Sequence, residues 1–427
     1  MLPRSAALRR EAWRARRGRA RFHARGKRSE AGQRGDPSGW RSRRIRLMGQ
    51  RAGRPKPKRT FKLEEYQTMT AEADEESSTE EALETCSQKL QEICGMADSR
   101  NGAVGLYNIG LNCCLNSLLQ VFFMNRQFTK ILRRIKVPFE AAEQKASVPY
   151  QMLLLLEQMQ QSKRRSVHPL DLVRCLSMHN VKLLVLYDAS QLFLILWNLI
   201  KDQITNVNLV ESLTLLHTIQ LQQNLVCQKC SAQMKKDSNL LMFPLPMFDS
   251  DSHPVRTLGD SLRCFFVPEQ LVDENACHCE QCGLETPHLR GMRVTRLPQT
   301  LMLHLKRFCC TEGSQTRKIS HSLAFPQSLN FSEILTPEQY NQDAQEDDGL
   351  YDLFAVVAHS GSANFGHYSA YIWSLTESRW YCFNDSSVCQ VSWDDVKCTY
   401  GKAYLRWGET AYLLVYLKRN CGKLCSD

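Results

Sequence analysis

The chain has no stretch of 18 or more uncharged apolar residues, so a membrane-spanning helix is not expected. The most apolar run, Leu183–Ile200, is interrupted by Asp188, Ser190, Gln191 and Asn198 and reads as a buried helix. The first 30 residues also lack an apolar core of signal-peptide length, because arginine breaks every short apolar run. Without such a leader, the 18 cysteines do not read as a secreted disulfide framework. They read as free, metal-bound or catalytic thiols of a reducing compartment, and a cytoplasmic and nuclear location is expected. No internal repeat is present. Acidic residues are nearly missing from Met1–Thr60, which holds 3 Asp+Glu against 21 Lys+Arg. That segment carries +18, so the net +11 of the 427 residues leaves −7 for Phe61–Asp427. The basic excess belongs to one arm, and the body is mildly acidic.

Met1–Arg59 is also poor in large apolar residues, and cannot bury enough surface to offset its ordering entropy. Residues 1–60 are therefore expected to be a disordered basic arm. Pro55-Lys56-Pro57-Lys58-Arg59 has the form of a nuclear-import patch, and the Arg-rich start also fits a mitochondrial transit peptide. A nucleic-acid contact is a minor reading. A solvated tail without a partner, or an upstream extension unused if Met48 begins the protein, stays open. Residues 61–103 form a linker that is acidic over Glu72–Glu84, with a short helix expected at Ala82–Ile93. The folded body begins near Val104.

Apolar spacing places helices at Asn116–Phe128, Tyr150–Met159 and Asp188–Ile200. Beyond about Leu240 the pattern becomes strand-like, at Leu301–Leu305, Leu353–His359, Tyr368–Trp373 and Ala411–Tyr416. Helices first and strands later imply an α+β fold.

The segment Gly105-Leu106-Tyr107-Asn108-Ile109-Gly110-Leu111-Asn112-Cys113-Cys114-Leu115-Asn116-Ser117 runs a glycine-punctuated loop into a helix. Free backbone N–H groups at a helix start favour thiolate over thiol, which suits Cys113 as a nucleophile. Downstream, Gly366-His367-Tyr368 sets a histidine at the start of a strand, and Asn384-Asp385 follows on the next hairpin. Thiol, imidazole and an orienting side chain are the parts of a cysteine-protease triad. Spacing alone leaves open that His367 is a core histidine and Asn384-Asp385 a turn.

These segments resemble the cysteine and histidine boxes of the ubiquitin-specific protease family. Leu297-Pro298-Gln299-Thr300-Leu301-Met302-Leu303-His304-Leu305-Lys306-Arg307-Phe308 and Ala411–Tyr416 are similar to two further family motifs. The resemblance covers about Val104–Lys418. It implies a papain-like core over 104–420, with a thumb near 104–215, fingers near 216–300, a palm near 301–420 and a tail at 421–427. It further implies Cys113 as nucleophile, His367 as base, Asn384 as its orienting partner, Asp385 in support and Asn108 as oxyanion donor. Leu111, Asn112 and Cys114 depart from the family pattern, as do Gln191 and Leu192. The last two suggest that the modifier is not plain ubiquitin.

Within the family, Cys113–Ser117, Trp197–Thr205 and Cys398–Gly401 resemble an interferon-induced branch that removes a two-domain ubiquitin-like modifier. That likeness implies an isopeptidase acting on modifier conjugates, with Leu194 and His304 as apolar substrate contacts. It also implies the interferon receptor and its transcription factors as partners. The alternative is a non-catalytic adaptor that dampens interferon signalling by binding.

Two Cys-x-x-Cys knuckles, Cys227/Cys230 and Cys279/Cys282, complete a tetrahedral four-cysteine set for zinc. Four thiolates leave no open position for water, so the metal is structural and no catalytic cofactor is expected. Cys277 is an alternative ligand. The spacing puts the knuckles on the tips of neighbouring strands.

Overall fold

The structure, a computed structural model, describes residues 103–182, 187–310, 316–340, 349–401 and 408–419. The basic arm, the linker with its expected helix at Ala82–Ile93, and the tail at 421–427 lie outside the described residues. The chain divides into two compact units, and every described residue belongs to the second, Glu76–Asp427.

The chain first builds a layer of helices. The nucleophile segment folds as a helix over Cys113–Met124, shorter at its end than the expected Asn116–Phe128. Asn125 ends it: its backbone turns extended, and its side-chain oxygen accepts from the amides of Gln127 (3.0 Å) and Phe128 (3.3 Å). A short amide side chain that bonds the backbone ahead of it starts a new helix rather than continuing the old one. That helix is Arg126–Leu132. Helices Val148–Gln161, Ala189–Gln203 and Val207–His217 complete the main layer, capped by Ser147, Asp188 and Asn206.

The strands then form a central sheet. Its order is Ser387–Val391, Arg379–Asn384, Gly366–Ser374, Leu350–Gly361, Thr410–Lys418, Thr300–Leu305 and Phe243–Leu245. Only the last pairing is parallel. All four expected strands are present, each slightly longer than its apolar run.

Both faces of this sheet are covered, and that explains its unbroken apolar sequence. Met302, Phe354, Val357, Tyr368, Ala370 and Ile372 pack toward the helices. Leu301, Leu303, Val356, Ala358 and Tyr371 face a second core with Leu258, Leu262 and Phe266 of the helix Leu258–Phe266. Cys113 and Cys114 sit in the first core, so the nucleophile helix is fixed directly on the sheet that carries His367.

A separate antiparallel sheet, ordered Gln233–Leu240, Ile219–Cys227, His288–Arg296, Glu269–Leu271, extends from this body. Its outer strand Gln233–Leu240 is largely exposed. Helical layer, central sheet and extended strands make a mixed helix–sheet, papain-like arrangement. Among the described residues, no helix is long and apolar enough to cross a membrane.

Candidate active site

The loop before Cys113 is tied to the hairpin that follows His367. Gly105–Leu106 pairs in parallel with Ser166–Val167, and the Leu106 amide donates to the Asp385 carbonyl at 2.8 Å. A Cβ on Gly105 would stand 2.6 Å from the Ser386 carbonyl oxygen, so only glycine permits this approach. Asp385 turns the hairpin in the left-handed region, with φ of 49°. Its two carboxylate oxygens accept from Asn108 Nδ2 at 2.8 Å and Asn116 Nδ2 at 2.7 Å.

Asn112 holds the same loop from within. Its Oδ1 accepts from the Ile109 amide at 2.8 Å and its Nδ2 donates to Asn116 Oδ1 at 3.2 Å. Asn112 is buried, whereas Leu111 is 46% exposed. The departure at Leu111 therefore lies outside the network that shapes the loop. Asn112 stands at the helix cap, but its side chain does not cap the first-turn amides. Those amides stand at the positive end of the helix beside the Cys113 thiol.

Across the cleft, His367 is the second residue of the strand Gly366–Ser374. Its Nε2 donates to Asn384 Oδ1 at 2.6 Å, which leaves Nδ1 for the Cys113 thiol. Burial disfavours a charged ring at His367. Cys113, Asp385 and Asn384 together outweigh it, Cys113 most, and the pKa rises to about 9. At the adjoining Cys114, burial, then the charges of Cys113 and Asp188, push the thiol well up. Burial of that kind keeps Cys114 an inert core thiol.

The structure therefore brings Cys113, His367, Asn384, Asp385 and Asn108 together. Sequence reading noted Asn112 only as a departure from the family pattern and missed Asn116, although Asn108, Asn112 and Asn116 recur at four-residue spacing. It also missed the packing behind His367, where a Cβ on Gly366 would lie 2.1 Å from His359 Nε2.

Leu194 and His304 stand apart from this centre. Leu194 is 36% exposed on helix Ala189–Gln203. His304 packs tilted against Tyr412, with centroids 4.9 Å apart and 55° between the rings, and the Tyr412 hydroxyl donates to Asp188, the cap of that helix. Burial, opposed by Asp188 and aided by Lys306, lowers the His304 pKa to about 4, so the ring is neutral and behaves as an apolar plate. Gln191 is exposed, but Leu192 is buried in the core. The loss of an aromatic at Leu192 thus alters packing in the core, whereas the loss of a charge at Gln191 is on the surface.

The four knuckle cysteines converge at the far end of the extended sheet. Cys230 Sγ lies 3.5 Å from Cys279 Sγ, Cys227 Sγ lies 3.9 Å from Cys282 Sγ, and all four sulfurs fall within 4.8 Å of one another. Tetrahedral thiolates about 2.3 Å from one ion would stand about 3.8 Å apart, so the set fits zinc. The knuckles share one geometry: Ser231 and Gly283, each at φ above 60°, donate amides to the carbonyls of Cys227 and Cys279 at 2.9 Å. The Thr286 hydroxyl holds the Cys227 thiol down to about 5. Cys282 is pushed up to about 12, by Cys230 first and then by burial and the other thiols. Cys277 stands outside the cluster, its thiol on the Asn275 carbonyl, and does not act as the alternative ligand.

Comparison with known proteins agrees with this geometry. Residues 104–416 match the family described as ubiquitin carboxyl-terminal hydrolase. A human protein named Ubl carboxyl-terminal hydrolase 18 is 52% identical over 350 residues, 82% of this chain and 94% of its own length. Its mouse namesake is 50% identical over 355 residues, covering 82% and 96%. A Drosophila melanogaster protein named ubiquitin carboxyl-terminal hydrolase 47 is 27% identical over 387 residues, 74% of this chain and 25% of its own.

Proposed function

The chain belongs to the ubiquitin carboxyl-terminal hydrolase family and is a cysteine protease, and we propose that it cuts a ubiquitin-like modifier from lysines of its targets. The observation that carries this reading is that His367, held by Asn384 at 2.6 Å, has its pKa raised by the neighbouring Cys113 at the start of the nucleophile helix. Asn384 fixes the ring with Nδ1 free for the sulfur, and the raised pKa of His367 favours the imidazolium at neutral pH. The Cys113 sulfur attacks the carbonyl after the modifier's terminal glycine. The imidazolium gives its proton to the departing lysine amine. A water, deprotonated by the now neutral ring, then attacks the thioester, frees the carboxylate and restores the thiol. First-turn amides at Cys113 and the second N–H of the Asn108 amide are the oxyanion donors, with Asp385 holding Asn108 in place.

The finer proposal is that the modifier is the interferon-induced two-domain one. The neutral His304 ring and the exposed Leu194 support it, as two surfaces suited to apolar contact. The proposal extends to action in cytoplasm and nucleus beside the interferon receptor and its transcription factors, on the sequence likeness alone. Cys227, Cys230, Cys279 and Cys282 would hold a structural zinc that ties the two knuckles together. The thumb, fingers and palm limits expected from sequence serve as its working divisions.

Steady-state hydrolysis of isopeptide-linked conjugates of ubiquitin and of the two-domain modifier tests the reading. It expects turnover of the latter that disappears in Cys113→Ala and weakens several-fold in Leu194→Asp. Turnover unaffected by Cys113→Ala would refute it, and equal use of both modifiers would refute the finer proposal.

A further inference from the structure

At the opposite end of the nucleophile helix from Cys113, a cavity of about 590 Å³ opens between that helix and the turn leaving the His367 strand. Its apolar floor is Phe123, Met124 and Leu375, the last 44% exposed. Arg126, Lys130, Arg133 and Arg134 rim it, all exposed. Among the described residues none of the four is in an ion pair; Arg133 donates only to the neutral Gln160 amide, at 2.9 Å. Four unneutralised cations around an apolar floor stand out on residues 103–427, where 31 Lys+Arg and 30 Asp+Glu nearly cancel, whereas the linker before them is strongly acidic.

We propose that this cavity is the docking site of the chain's own acidic segment Glu76–Glu84, with Leu83 on the apolar floor and the flanking glutamates on the basic rim. The segment holds Glu76, Glu80, Glu81 and Glu84 and no Lys or Arg, so four negative charges meet four positive ones. Leu83 lies between Glu81 and Glu84, the pattern an apolar floor with a cationic rim accepts. The tether is also suitable. The described chain re-enters at Ala103–Val104, where Gln120 donates to the Val104 carbonyl at 2.9 Å, and Met124 is one helical turn beyond Gln120. The roughly 20 residues between Glu84 and Val104 reach about 25 Å as a flexible coil, which spans that gap and gives a millimolar effective concentration. Docking would clip the end of the nucleophile helix to the His367 hairpin from behind.

Zero-length carbodiimide cross-linking of the full chain at low salt, followed by peptide mass spectrometry, tests this. Lys130 is expected to form amides with Glu80, Glu81 or Glu84, and the yield is expected to fall at least fivefold in 0.5 M salt or in Arg126→Glu/Arg134→Glu. The Lys397–Asp394 pair, 2.5 Å apart, reports that the reagent works. Mixing 14N- and 15N-labelled chains separates the occupants. Cross-links within one label support the proposal, whereas mixed-label links assign the cavity to a second copy and overturn it. Absence of any Lys130 link to this segment while Lys397–Asp394 reacts also overturns it.

Discussion

The side-chain amide of Asn108 donates to the Asp385 carboxylate at 2.8 Å, across 277 residues of sequence. This one contact joins the loop before the nucleophile to the hairpin that orients the base. Asp385 also accepts from Asn116 and adds to the raised pKa of His367. Asp385→Asn keeps a residue that tolerates the left-handed turn but removes the charge. It is expected to lower kcat about 10-fold, in the range of losing one positioned oxyanion donor or less. It should also move the alkaline limb of the kcat/KM profile downward from about 9, because one support of the imidazolium is gone. An unchanged alkaline limb would show that Asp385 does not act on His367.

Gly366 has no room for a side chain. A Cβ there would meet His359 Nε2 at 2.1 Å and the Ser360 carbonyl oxygen at 2.3 Å. Gly366→Ala is expected to displace His367 and cost about 100-fold or more in kcat, since a roughly 1 Å misplacement of a catalytic group has that scale. Binding of the intact modifier to a catalytically dead background should change little. Near-normal turnover in Gly366→Ala would contradict the placement of His359 behind the base.

Three buried histidines make the fold sensitive to acid. Burial is the main reason that His217 and His304 fall to about 4 and His359 to about 3. In the unfolded chain each titrates near about 6.5, so between about pH 4 and 6.5 the unfolded state binds more protons and stability rises with pH. The three together supply a slope of up to about 4 kcal/mol per pH unit, their stabilisation being fully present above about pH 6.5 and lost as pH falls. His217 is surrounded by Phe122, Phe128 and Phe193 at centroid distances near 6 Å. His217→Phe is therefore expected to flatten the slope of urea midpoints between about pH 5 and 7.5 by about a third. An unaltered slope would remove His217 from the account.

The knuckle cluster leads to a metal experiment. One zinc per chain is expected by elemental analysis, retained in Cys277→Ser and lost in Cys282→Ser. Loss should lower Tm by about 10 °C, the size of a few kcal/mol for a domain of this length. Full zinc retention in Cys282→Ser, or loss in Cys277→Ser, would contradict the ligand set.

Much of the site could be read from the chain because its chemistry is local. Cys113 at a loop–helix junction, Gly366-His367 before a strand and Asn384-Asp385 at a hairpin all signal themselves by turn residues beside apolar runs. The sheet strands were legible for a related reason: burial on both faces makes Leu301–Leu305 and Ala411–Tyr416 continuous apolar runs. The extended strand Ile219–Cys227 was not, because Gln223 breaks the alternation of Ile219, Leu221, Leu225 and Cys227 and leaves each half too short to stand out. Its order comes from pairing with His288–Arg296, remote in sequence. The break at Asn125 was missed because Phe128 continues the apolar spacing while the Asn125 side chain, invisible to a hydrophobic pattern, starts a new helix. The role of Asn116 was hidden likewise, since its acceptor on Asp385 lies 269 residues away.

The central claim is that Cys113, set by His367 and Asn384, is the nucleophile toward a ubiquitin-like modifier. Its most direct test is labelling with C-terminally electrophilic probes of ubiquitin and of the two-domain interferon-induced modifier, with the adduct mapped by peptide mass spectrometry. A single adduct on Cys113 and none on Cys114 is expected with the two-domain probe, absent in Cys113→Ala and at least about 10-fold slower in Asn384→Ala. Folded, zinc-loaded protein that forms no adduct, or forms it on another cysteine, would contradict the account.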